Sequence, residues 1–437
     1  MINRRHFLGL GAAATSLALL AGCTGGAGGD DDSSGASGGS ITGEITVLTN
    51  RTDLAETTLP AYAKKFEVKY PGTKVSFEAV TNYEGDVTTQ LSSGDYGDVL
   101  LIPNTVAVDQ LGQFFESLGT TDELKAKYRF VDEKAFDSQV YGLSLGGVAN
   151  GLVVNKRVWQ QAGVTAPPKT TEEFLAGLAK VKATGAVPFY TNYKDGWPLS
   201  FFNSQRAIVA DPAINDKFPA DPSPWQPGKI EYVTDGLLFD IVRAGLSEKD
   251  PLTTNWEASK PMIATGKVAT MLLGSWAVPQ MKDAAEAAGA NPDDIAFWPF
   301  PYQTGGKFHA RIEGDYKAAV SKSSDNKTTA RAWLDWFVNE SGFAADQEAI
   351  PPAIGQPLPA SLKAFQDTGV ELLELPAATT NAGKEDEIIK ESEIDLAGNI
   401  YRQKLVDIAR GAAKGDKDSY FAELNKRWSE AQARIMK

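Results

Sequence analysis

The stretch EITVLTNRTDLAETTLPAYAKKFEVKYPGTKVSFEAVTNYEGDVTTQLSSGDYGDVLLI, residues 44–102, switches its hydrophobic period back and forth. From Glu44 to Thr49, Ile45 and Val47 share one side of an alternating run, the period of a strand. Leu59, Tyr62, Ala63, Phe66 and Tyr70 then lie on one helical stripe, which Pro71-Gly72 ends. Val75, Phe77 and Ala79 alternate again, an amphipathic segment follows, and Val99-Leu100-Leu101-Ile102 reads as a strand buried on both faces. This strand–helix order predicts a largely parallel sheet with helices on its faces, because parallel strands need a crossover between them.

A second series starts near Gly151. Leu152-Val153-Val154 reads as a short buried strand, followed by a helix carrying Val158 and Trp159. Pro167-Pro168 breaks the chain, Thr170 with Glu173 forms a capping box for a helix toward Ala183, and Val187 to Tyr190 returns as a strand. Late helical stripes hold Trp333, Trp336 and Phe337, then Phe421, Leu424, Trp428 and Ile435, at spacings that face a core. A chain of 437 residues exceeds what one hydrophobic core serves, so two α/β lobes are expected. No internal repeat is visible.

The net charge of −13 sets the surface against nucleic acid and anionic headgroups and suits a neutral small ligand. The single cysteine, Cys23, rules out an intramolecular disulfide and a cysteine metal cluster. Beyond the N-terminal segment only His309 remains, too few for a histidine-rich zinc site, and no phosphate-binding loop of the Walker type occurs.

Arg4 and Arg5 precede an uncharged run from Phe7 to Leu20, the layout of a signal peptide, residues 1–22. Leu20-Ala21-Gly22-Cys23 resembles a lipobox, in which the Cys23 thiol accepts a diacylglycerol anchor. Arg4-Arg5-His6-Phe7-Leu8 also resembles a twin-arginine export signal, and an ordinary basic leader reads equally well. The residues 24–43 are nearly all Gly, Ser, Ala and Asp, a flexible tether behind the lipidated Cys23.

The mature chain resembles the carbohydrate-binding group of bacterial solute-binding proteins, the maltose and multiple-sugar class of ABC importers. The resemblance rests on Gly94-Asp95-Tyr96-Gly97-Asp98-Val99, Tyr141-Gly142 through Val154-Asn155-Lys156, and Pro167-Pro168-Lys169-Thr170-Thr171-Glu172-Glu173-Phe174. Gly266-Lys267-Val268-Ala269-Thr270-Met271, running into Gly274-Ser275-Trp276, completes it. Gly97 and Val154 depart from the family pattern, which has proline and tyrosine there, so ligand identity is not carried over. The resemblance implies a two-lobed periplasmic-binding-protein-like fold, each lobe a mostly parallel sheet flanked by helices, with the ligand cleft between them. Lobe I is expected over 44–146 and 316–355, lobe II over 147–315 and 356–437. The crossings fall near Leu145 to Asn150, Glu313 to Tyr316 and Ile350 to Gly355, and Gly146-Gly147 suits a hinge. It further implies a monomer without catalysis, cofactor or metal, anchored outside the cytoplasm, that closes on a sugar or oligosaccharide and delivers it to permease subunits. A glycoside hydrolase with two carboxylates in an aromatic cleft is the rival reading, and a surface adhesin a third.

Sugar hydroxyls seek carboxylates and amides, and the C–H face of the ring stacks on aromatic side chains. At the carboxyl end of the first strand stand Asn50, Arg51 and Asp53, where open α/β sheets bind ligands. Tyr83 and Glu84 follow the second strand, and Asn104 the third. From the other lobe come Asp195 and Trp197 in one loop and Trp276 in another, with Trp256 and Trp298 as further candidates. The resemblance makes Trp276 a stacking platform. Glu313 and Asp315, with Arg311 to orient a carboxylate, lie near the second crossing.

Overall fold

The computed structural model describes residues 40–94 and 96–437. The readings of Arg4, Arg5 and Cys23, and of the tether up to Gly39, lie outside the described residues. From Gly43 on, each change of hydrophobic period becomes a change of element. These are β1 (Gly43–Thr49), α1 (Leu59–Lys69), β2 (Thr73–Ala79), α2 (Tyr83–Ser93) and β3 (Val99–Leu101). Next come β4 (Leu143–Ser144), β5 (Gly147–Asn155), α3 (Thr171–Ala183), α4 (Ile230–Arg243) and α5 (Trp256–Ala264). β6 (Thr270–Gly274), α6 (Ala277–Ala287), β7 (Ile295–Trp298), β8 (Lys307–Gly314), β9 (Lys317–Val320) and α7 (Lys327–Asn339) follow. The chain ends with β10 (Val370–Glu374), α8 (Lys384–Ser392), α9 (Ile400–Ala409) and α10 (Lys417–Ile435).

The first sheet runs β2-β1-β3-β9-β4, parallel across β2, β1 and β3 and antiparallel beyond. α1 and α7 interlock on it: the Phe66 ring meets Trp333 edge-on at 5.3 Å, and Tyr62 meets Phe337 at 5.6 Å. At Gly97, just before β3, φ is +69°, which is closed to proline, and a Cβ would stand 2.4 Å from Leu48 Cδ1. The departure from the family's proline is therefore a real change of backbone.

The second sheet corrects an expectation. β5 is its centre, and β6, β7 and β8 all pair with β5 antiparallel; only β8 with β10 is parallel. All nine residues of β5 are buried, as the short buried strand read there suggested, whereas the mostly parallel sheet was what the resemblance implied. Burial on both faces is what the pattern reports; strand direction is set by connections that the pattern does not show. The segment Val187 to Tyr190 is likewise no full strand, making only isolated bridges from Val187 to Val268 and from Phe189 to Ser247. α3 starts with Thr170 Oγ1 accepting from Glu173 N at 3.2 Å, but Glu173 Oε2 accepts from Lys169 N at 2.8 Å instead of Thr170 N, so the expected capping box is half formed.

Three segments pass between the sheets and lie side by side. Leu145-Gly146 joins β4 to β5, Asp315-Tyr316 joins β8 to β9, and the stretch around Ile350 leads from α7 toward β10. Asp315 N donates to Gly146 O at 2.9 Å, and Gly147 and Ile350 exchange backbone bonds of 2.7 and 2.8 Å. A Cβ on Gly146 would meet Ala349 Cβ at 2.7 Å, and one on Gly147 would meet the Phe130 ring at 2.4 Å. Neither glycine has a positive φ. The close approach of neighbouring segments, rather than conformational freedom, demands glycine here.

Candidate functional site

Between the two sheets lies a cavity of about 640 Å³. One wall carries Asn50, Arg51, Asp53, Asp315, Tyr316, Gln347 and Glu348, and the other Ser275, Trp276, Gln280, Lys282, Asp283 and Glu286. Leu145, Gly146 and Val148 of the first crossing form its floor.

The first wall begins where β1 ends. Arg51 is held as a fork: Nε and Nη2 donate to the two oxygens of Asp53 at 2.9 and 2.7 Å, and Nη1 donates to Gln347 Oε1 at 2.9 Å. The guanidinium bond holds Asp53 below the usual carboxylate range. Asp315 stands on the same wall, open to water yet closely walled by protein, and that partial desolvation raises its carboxyl. Tyr316 lines the cavity, and its hydroxyl donates to Glu84 Oε1 at 2.6 Å. Glu84 is occupied further by Asn104, which donates from its backbone N at 2.9 Å and its amide at 3.1 Å. Glu84 and Asn104 thus brace Tyr316 and do not line the cavity themselves.

The opposite wall is aromatic. The half-buried Trp276 lies over Gly274, where a Cβ would stand 2.5 Å from the indole Cδ1 and Nε1. Ser275 pins the turn to β5, its N donating to Ala149 O at 2.8 Å and its Oγ accepting from Ala149 N at 3.0 Å. Behind Trp276 stand Trp256 at 5.5 Å and Trp197 at 5.9 Å, themselves 5.2 Å apart. Asp195 fixes this group by accepting from Trp256 N at 2.5 Å, at the start of α5.

Two expected site residues are core. Tyr83 is 4% exposed, and its hydroxyl donates to Leu101 O at 2.9 Å and accepts from Leu101 N at 2.8 Å. Burial raises this phenol strongly. Its apolar ring holds α2 against β3, so no face is left for a ligand. Trp298 is 7% exposed and packs on Trp159 at 5.2 Å, because β7 pairs Trp298 with Leu152 inside the second lobe. Arg311 and Glu313 pair with each other at 2.8 Å, and Asn150 Nδ2 donates to Glu313 at 2.8 Å; the pair lies on β8, off the cavity lining. The reading of the sequence missed Gln280, Lys282, Asp283 and Glu286 on α6, which look like a solvated helix face, and Gln347 and Glu348, whose loop carries no motif.

Two sheets with their own cores, three crossings and a cleft with one polar and one aromatic wall define a two-lobed ligand-binding protein. Residues 52–342 match the family of bacterial extracellular solute-binding proteins, and the chain belongs to that family. It is similar to the binding protein BlMnBP1 of an ABC transporter from Bifidobacterium animalis subsp. lactis, solved in complex with mannobiose. The two share 32% identity and a TM-score of 0.81, over 90% of this chain and 95% of that one. BlMnBP2 from the same organism, a manno-oligosaccharide-specific solute-binding protein solved with mannotriose, shares 30% identity with a TM-score of 0.82, over 90% and 95%. The diacetylchitobiose-binding protein DasA of Streptomyces coelicolor is 25% identical over 85% of this chain and 86% of its own length. Putative binding proteins of Brucella abortus are 32% identical over 132 residues, and the chain spans 31% of their length.

Proposed function

We propose that this chain is the extracytoplasmic capture component of an ABC importer and that its ligand is a short manno-oligosaccharide. The observation that carries this reading is the pairing of walls across one cavity. Trp276, backed by Trp197 and Trp256, offers a ring face for sugar C–H groups, while Asn50, Asp315 and Gln347 offer acceptors and amides opposite. Among the charged lining residues named above, Asp53, Asp283, Glu286, Asp315 and Glu348 outweigh Arg51 and Lys282, which disfavours an anionic ligand. The mannobiose and mannotriose bound by BlMnBP1 and BlMnBP2 support the choice of sugar. Delivery follows from closure about the three crossings, with lobes divided near residues 146, 315 and 355. An anchor on Cys23, which the lipobox-like Leu20-Ala21-Gly22-Cys23 supports, holds the protein at the membrane surface.

Calorimetric titration with mannobiose, mannotriose, diacetylchitobiose and maltotriose tests the reading. Saturable binding of the two manno-oligosaccharides, with each recovered uncleaved, is expected. Preference for another sugar of the set overturns the assignment of ligand, and cleavage overturns the assignment as a binder.

A further inference from the structure

The cavity follows α6 for nearly its whole length, taking its lining from Trp276, Pro279, Gln280, Lys282, Asp283 and Glu286. Trp276 already has helical angles, φ −56° and ψ −22°, so it keeps phase with the helix it precedes. At about 100° per residue, Gln280 and Asp283 project within roughly 40° of Trp276, while the buried Ala277, Val278, Met281 and Ala285 take the other side. The three residues form one stripe facing the ligand space. At about 1.5 Å of rise per residue, Gln280 stands about 6 Å and Asp283 about 10 Å along the axis from Trp276.

The charged groups around this stripe are engaged. Lys282 turns aside to Glu348 of the opposite wall, Nζ to Oε1 at 3.4 Å, and across the cleft Arg51 is held by Asp53 and Gln347. Gln280 and Asp283 have no side-chain partner among the described residues, and both remain open to water. Glu286 lies further toward the end of α6 and roughly 80° round from Trp276. A group that is accessible, lines the cavity and is bonded to nothing in the fold is free to bond a ligand. The chemistry along the stripe changes with distance: first an aromatic face, then an amide that donates and accepts, then a carboxylate that only accepts.

We propose that α6 sets the orientation and the minimum length of the ligand. Trp276 stacks on one ring of a saccharide, and Gln280 and Asp283 bracket the next ring and bond its hydroxyls, so that the linked rings lie along the helix. A single ring on Trp276 leaves Asp283 unreached. Two linked rings use the whole stripe. This rests on the proposed sugar-binding function and adds to it a direction, a length and two residues that select for it.

The test uses the full chain in detergent, with mannose, mannobiose and mannotriose as probes in calorimetry, beside thermal melting without ligand. Wild type should bind mannobiose at least about tenfold more tightly than mannose. Asp283→Ala should lose roughly ten- to hundredfold in affinity for mannobiose and mannotriose, the range of a hydrogen bond to a charged group, and Gln280→Ala severalfold. Both variants should melt at or above the wild-type temperature, since alanine favours a helix and neither side chain holds the fold together. Asp283→Asn, which keeps one acceptor oxygen, should fall between wild type and Asp283→Ala. The proposal is overturned if Asp283→Ala binds both oligosaccharides within about twofold of wild type, or loses affinity only together with a fall in melting temperature. Mannose binding as tightly as mannobiose overturns it too. If wild type ignores all three but binds diacetylchitobiose, the choice of sugar falls alone, and the variants are judged on diacetylchitobiose against N-acetylglucosamine by the same criteria. If wild type binds none of these, both readings fall.

Discussion

Trp276 owes its place to the residue two before it. Only the missing side chain of Gly274 lets the indole lie down on β6, since a Cβ there would approach the ring to 2.5 Å. Gly274→Ala should therefore displace the ring and weaken sugar binding, while the buried β6 strand keeps its pairing with β5. Trp276→Ala should weaken mannotriose binding about ten- to hundredfold, from lost stacking and apolar contact. Calorimetry beside apo melting decides it: loss of a core Trp typically costs about 3–5 kcal/mol of stability, so a large drop in melting with unchanged affinity would make Trp276 a core residue. Tyr83→Phe is the mirror case. It leaves the Leu101 backbone groups unpaired in a buried site and should cost about 1–3 kcal/mol in urea unfolding with affinity unchanged. A loss of affinity without loss of stability would reinstate Tyr83 in the site. These two residues show what the sequence discloses at this scale. A tryptophan in a Gly-Ser turn was legible as exposed to a cleft. Tyr83, also at an element boundary, was not legible as core, because the helix stripe of Tyr83, Val87 and Leu91 starts at that same boundary residue.

At the scale of elements, the series from β1 to β3 was readable because each element shows its own period and parallel neighbours follow in order. The second sheet was not, since β6, β7 and β8 reach β5 after long connections that leave direction open. A charged cluster buried between helices escaped notice for a related reason, its members being far apart in the chain. Arg402 on α9 is fully buried, donating from Nε to Asp235 Oδ1 at 2.8 Å and from Nη1 to Leu396 O at 2.8 Å. Asp235 on α4 also accepts from Tyr401 at 2.9 Å and Trp225 at 2.8 Å, and Arg206 forks onto Glu385 of α8. Glu231, one turn before Asp235, is left without a good partner, Arg402 Nη2 lying 3.6 Å away. Burial, then the nearby Asp235 charge, push its carboxyl up to about 8, against the opposing pull of Arg402 and Arg206. Because the folded value lies above the ordinary one near 4.5, the folded state holds the extra proton. Its stabilising contribution is full below about pH 4.5, declines as pH rises, and is exhausted near pH 8. Urea unfolding across that window should show Glu231→Gln losing stability less steeply with pH than wild type. Parallel curves would mean that Glu231 is ionised in the fold. Arg402→Met should be far worse, about 3–5 kcal/mol, since it strands Asp235 as a buried unpaired charge.

For the molecule as a whole, the address and the machine are separable. Cys23→Ser should release the protein from the membrane fraction and leave sugar binding intact; retention at the membrane would point to another anchor. The two-lobed plan was legible from length and from the two α/β series, but the lining of the cleft was only half legible. Residues at the carboxyl end of β1 are marked by topology, whereas Lys282 and Glu348 meet only because α6 and the loop after α7 face each other once the chain has crossed twice. That three-stranded joint also sets the mechanics. Backbone bonds tie Gly146 to Asp315 and Gly147 to Ile350, so the crossings bend together, and walls on separate lobes change their distance when they do. A ligand touching Trp276 on one side and Asn50 or Asp315 on the other gains contacts on both only when the walls approach, so it shifts the population toward the closed form by that difference in affinity. Saturating mannotriose should therefore lower the radius of gyration in solution scattering. At a hundred times its dissociation constant it should also add about 2.7 kcal/mol to the unfolding free energy. The two readouts separate the claims: stabilisation with an unchanged radius would leave a rigid cleft that binds sugar without closing, and the hinge at Gly146-Gly147 would have to be abandoned.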